Sequence, residues 1–85
     1  MRDTAYATEL ASGSFQWPSG DEARIERLMV KDLQQEEIRF SWWNNGNIMI
    51  RPLDLTEGDL LILFQHALDA NVFSRDFRAR LRYIL

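Results

Sequence analysis

The stretch Glu37–Asn71, EIRFSWWNNGNIMIRPLDLTEGDLLILFQHALDAN, decides the fold class. Ile38–Trp43 and Asn47–Arg51 read as two strands of a hairpin, closed by Asn44-Asn45-Gly46. Pro52 then ends the second strand, and Thr56 opens a strongly apolar helix. A hairpin feeding into helices places the chain in the α+β class.

The register of the hairpin follows from its loop length. A two-residue loop, Asn45-Gly46, sets Trp43 opposite Ile48 and Phe40 opposite Arg51. A three-residue loop sets Trp42 opposite Ile48 and Phe40 opposite Ile50. The longer loop gathers Ile38, Phe40, Trp42, Ile48 and Ile50 on one apolar face, and a single buried face is what fixes register. The three-residue loop is therefore the expected one, with Gly46 as its left-handed residue. Arg39, Ser41, Trp43, Met49 and Arg51 would then share the other face, with Arg39 across from Arg51.

Toward the C-terminus, Thr56–Ala70 is expected as a helix with Asn71 as its stop, and Ser74 caps a last helix over residues 74–85. The two form an αα-hairpin, with Phe77, Leu81, Ile84 and Leu85 as the buried arc of the last helix. Toward the N-terminus, residues 19–34 carry helical spacing. Ile25, Leu28, Met29 and Leu33 make one stripe, and Ser19 with Glu22 matches a capping box. Residues 1–17 admit a strand pair or a short helix; the alternation of Tyr6, Thr8 and Leu10 leans toward strand. The expected architecture is a small single domain: a β-hairpin, extended if residues 1–17 are strands, packed against three helices.

Composition bounds the function classes. With 85 residues there is room for one domain with a thin stability margin. Hydrophobic residues make up 46% and aromatic residues 12%, the balance of an ordered chain. There is no cysteine and a single histidine, so disulfides, thiolate zinc sites and all-imidazole metal sites are excluded. A net charge of −3 argues against a broad nucleic-acid surface. No signal-like or membrane-spanning apolar run is present, so the expected location is cytoplasmic. The small size and scarcity of motifs are typical of small bacterial or phage accessory proteins.

No residue set reaches catalytic or metal-binding grade, and no cofactor is expected. His66 shares its helix side with Asp59, Ile62 and Asp69, but no nucleophile accompanies it. Asp54, Glu57 and Asp59 lack the spacing of a calcium loop. The acid pairs Asp21/Glu22, Glu36/Glu37 and Glu57/Asp59 fit capping and solubility. Two surfaces carry the functional expectation. The first is a protein-interaction face of Trp43 and Met49 flanked by Arg39 and Arg51, with Ile62 as a second exposed apolar position. Its alternative is that residues 1–17, with Tyr6, Phe15 and Trp17, cover Trp43. The second is an arginine row, Arg75, Arg78 and Arg82, suited to nucleic acid in a helix–turn–helix arrangement. The leading expectation is a non-enzymatic interaction module or small regulator, with another protein or a second copy as partner. A nucleic-acid-associated regulator ranks second, and an enzyme centred on His66 last.

Overall fold

The computed structural model describes residues 2–85; residue 1 lies outside that description. The fold is α+β: a four-stranded antiparallel meander followed by two helices. Strands β1 (Ala7–Gln16), β2 (Asp21–Val30), β3 (Gln35–Asn44) and the short β4 (Asn47–Ile48) lie side by side in chain order. Helices α1 (Glu57–Asp69) and α2 (Arg75–Ile84) complete the chain.

The helix expected over residues 19–34 is instead strand β2 and the turn that follows it. The reason is coverage on both sides. Ala23 and Ile25 face α1, while Glu26, Leu28 and Val30 are buried on the opposite face. A strand covered on both faces loses its two-residue alternation, and its apolar positions then imitate helical spacing. Ser19 makes no capping box; its hydroxyl accepts the Asp21 N–H at 3.4 Å. Gly20, at φ +94°, turns the chain between β1 and β2, and only glycine holds that conformation without strain.

The β3–β4 hairpin also departs from expectation. Trp43 pairs with Ile48 and Asn44 with Asn47, so the loop has two residues. Asn45 and Gly46 both have positive φ, 50° and 80°, the pattern of a type I′ turn that matches the strand twist. The coherent apolar face could not decide the register because β4 is only two residues long and α1 does not lie over β3. Ile38 and Phe40 remain exposed, and Ile50 is fully exposed.

Helix α1 lies over β1 and β2. Its Leu63 and Ala67 are buried against Ala23, Ile25, Val72 and Phe73, with Phe15, Trp17 and Trp42 packed around them. Thr56 caps its start by accepting the Asp59 N–H at 3.1 Å. A Schellman motif ends it: Asn71 sits at φ 57°, its N–H donates to Leu68, and the Val72 N–H donates to the Ala67 carbonyl. The contact Val72–Ala67 is the apolar half of that motif, and both side chains are buried. Phe73 plugs the turn between helices, stacked on Phe64 at 4.9 Å and beside Phe77 at 5.0 Å.

Helix α2 differs from the expected buried arc. None of its residues is buried; Phe77, Ile84 and Leu85 are exposed. Ser74 caps it through the Phe77 N–H at 3.1 Å. With few tertiary contacts, this helix relies on its cap and on the Phe73–Phe77 pair.

Candidate functional site

Each face of the sheet carries one notable arrangement. On the face away from α1, Trp43 is only 1% exposed. Its indole N–H donates to the Ser41 hydroxyl at 2.8 Å, and that hydroxyl donates to Glu26 at 2.8 Å. Arg39 completes the set with a bidentate pair to Glu26, both bonds at 3.1 Å. Strand pairing explains the cluster: Glu26 stands opposite Arg39, and Ser41 opposite Arg24, on one face of β2 and β3. The Arg24 and Arg2 guanidiniums lie over the Trp43 ring at 3.9 and 4.5 Å.

A second carboxyl joins this group because of a β-bulge. The β1–β2 register shifts between Glu9 and Ala11, leaving Leu10 as the extra residue. Without it Glu9 would follow Ala11 and Gly13 onto the α1 face. With it, Glu9 stands opposite Leu28, on the face of Glu26. Burial pushes the Glu9 carboxyl above its ordinary range, and the neighbouring Glu26 carboxylate pushes it the same way. Burial also acts to raise Glu26, but hydrogen bonds from Arg39, Ser41 and Glu9 outweigh it and hold Glu26 low. The Glu9 Oε1 atom is buried with no hydrogen-bond partner among the described residues. The upward push favours a protonated Glu9, and a protonated carboxyl can donate to the Glu26 carboxylate. Glu26 is fully buried within this cluster.

The expected interaction face is therefore corrected. Trp43 is inside, held by side chains of the same sheet and by Arg2. It is not Phe15 or Trp17 that covers it; those two pack at 4.5 Å on the α1 side, with Trp17 beside Trp42 at 5.0 Å. Met49 lies on the opposite face, because its N–H bonds to the Trp42 carbonyl. Arg39 is committed to Glu26. Arg51 stacks over Trp42 at 4.8 Å and approaches Asp21 at 3.7 Å. So Arg39 and Arg51 each have an acid and do not oppose one another. Ile62 does remain exposed on α1.

The exposed apolar surface lies on α1. Leu60, Leu61 and Phe64 line a shallow groove of about 450 Å³, with Glu57 and Gly58 at its end. Leu61 is 69% exposed. The first turn of α1 holds Glu57 and Asp59, and Asp54 precedes it. Residues 54–69 contain no lysine or arginine.

His66 anchors α1 to the sheet. Its Nδ1 donates to the Ser14 carbonyl at 2.6 Å. One residue further, α1 touches Gly13 so closely that a Cβ there would sit 2.5 Å from the Ala67 Cα. On α2, Arg80 pairs with Asp76 at 3.1 Å, whereas Arg75, Arg78 and Arg82 take part in no ion pair among the described residues. Among the described residues no cluster of histidines and acids could hold a metal ion, and no helix is long and apolar enough to cross a membrane.

Sequence reasoning missed the Glu26 cluster, and it read an apolar surplus on α1 without locating the groove. Read as a strand, residues 21–30 put a charged Glu26 on the same side as Leu28 and Val30, which flags a buried acid needing partners. The spread of Leu60, Leu61, Leu63, Phe64, Ala67 and Leu68 marked the surplus, but an apolar helix reads the same whether two neighbours cover it or one. What the fold defines is the class: a small α+β protein with a four-stranded antiparallel sheet and two C-terminal helices. No family model, curated protein or solved structure matches this chain.

Proposed function

We propose that this protein is a cytoplasmic, non-enzymatic interaction module that docks an amphipathic helix of another protein on α1. The observation that carries this reading is the groove of Leu60, Leu61 and Phe64, exposed on a helix capped at both ends. Apolar side chains held out on a rigid helix form the kind of groove that receives the apolar face of a partner helix. Asp54, Glu57 and Asp59 beside it favour a partner carrying lysine or arginine along that face. Leu61→Asp tests this with little risk to folding, because Leu61 makes its main contact with solvent. Affinity capture from the native host after nuclease treatment should retain a partner on the unaltered chain and lose it on Leu61→Asp. Retention of the same partner by the variant would sink the reading.

The second reading is a nucleic-acid-associated regulator, favoured by the three arginines of α2 that stand outside any ion pair. It expects binding that nuclease abolishes, that weakens steeply with salt, and that falls when Arg75, Arg78 and Arg82 are replaced. An enzyme centred on His66 has the least support, since the ring holds α1 to Ser14.

A further inference from the structure

Among the described residues nothing pairs with the outer edge of strand β3 before Trp42. Strand β4 covers only its last residues, and Met49 donates to the Trp42 carbonyl just before the chain turns away. Backbone groups alternate along a strand, so if Trp42 points outward, Phe40, Ile38 and Glu36 do too. Their N–H and C=O groups lie on the free edge. Ile38 and Phe40 also expose apolar side chains on the helix face, 36% and 50%, because α1 stops over β2.

We propose that a second copy of this chain pairs with that edge, β3 against β3 and antiparallel, about a two-fold axis at Ile38. The charges select this register. Centred on Ile38, the pairing sets Glu37 of each copy opposite Arg39 of the other, in the closely spaced non-hydrogen-bonded position. Centring on Arg39 or on Glu37 would place like charges together, and centring on Phe40 would leave Arg39 facing Ser41. Arg39 is prepared for a second carboxylate. Its Nε and Nη2 hold Glu26, which fixes the guanidinium and leaves Nη1 for Glu37 of the other copy. The two Ile38 side chains meet at the axis, and the four-stranded sheets join into one. A two-fold pairing of identical strands closes on itself and leaves no further edge of β3 to recruit more copies. This surface is separate from the α1 groove, so either proposal can fail alone.

The test is sedimentation across a wide concentration range, with Glu37→Arg and Ile38→Cys. Glu37→Arg turns both attractive pairs into repulsive ones, and among the described residues the Glu37 side chain gives up one hydrogen bond, from Gln35. A dimer of the 10.0 kDa chain is expected, weakened by about tenfold or more in Glu37→Arg. Hydrogen-bonded antiparallel pairs hold their Cα atoms about 5.5 Å apart, within disulfide range. The chain has no cysteine of its own, so Ile38→Cys should form a covalent dimer on oxidation, whereas Leu61→Cys should not. A monomer at every concentration would overturn the proposal. So would a dimer that Glu37→Arg leaves unchanged, or one that links through Leu61→Cys and not Ile38→Cys.

Discussion

Glu9 and Glu26 share one side of the sheet, and the bulge at Leu10 is what brings them together. Two carboxyls at close range cannot both ionise without cost, and here the environment separates them: Glu9 is pushed up, Glu26 held down. Their effects on stability run in opposite directions. Glu26 contributes stability above the ordinary glutamate range, and that contribution is lost as pH falls through its lowered value. Glu9 binds its proton more tightly when folded, so its contribution is present in acid and is lost as pH rises toward its raised value. Glu9→Gln keeps a donor for Glu26 without needing a proton. Urea unfolding should show this variant gaining stability over the original chain more at about pH 7 than at about pH 4. An equal difference at both pH values would mean that Glu9 carries no such proton. Neither carboxyl stood out in the sequence. Glu9 reached its face only through a one-residue bulge, and such a shift leaves no mark in residue type.

At the scale of elements, the capped helices were legible and β2 was not. Thr56 and Ser74 announce the starts of α1 and α2 because a side-chain oxygen before an apolar run has few other uses. Residues 21–30 misled because both faces of β2 are covered, and Ile25, Leu28 and Met29 fit a helix stripe as well as two buried strand faces. The hairpin misled differently: Asn45-Gly46 is a strong two-residue turn signal, and it outweighs a coherent apolar face when the second strand is too short to bury one. Gly13 is where two elements meet. Strand β1 and helix α1 approach until backbone meets backbone, with the Ala67 Cα and N and the His66 carbonyl carbon nearest to where a Gly13 Cβ would stand. Gly13→Ala should therefore cost about 1–3 kcal/mol or more in chemical denaturation, because neither backbone can yield without moving α1 off Ala23 and Ile25. A loss below about 0.5 kcal/mol, the usual range of a surface change, would show that the helix shifts freely on the sheet.

For the whole molecule, the layout divides labour by surface. The face away from α1 is closed by the Glu26 cluster and residues 2–6, where Arg2 accepts the Glu9 N–H and Lys31 pairs with Asp3 at 2.7 Å. The face beneath α1 holds the core. What stays open is the outer edge of β3, the apolar strip of α1, and α2. The sequence suggested an apolar surplus on α1 and placed a second one at Trp43. The structure keeps the first at the surface and uses the second inside, since an indole with its N–H satisfied by Ser41 packs at no polar cost. The α1 groove is the surface on which the proposed function stands. The most direct measurement is photo-crosslinking from position 61, with the attached peptide identified by mass spectrometry. The account predicts attachment to a segment whose apolar residues recur every three or four positions beside lysine or arginine. Attachment to no protein from position 61, with nucleic acid recovered from a probe at position 78, would contradict it.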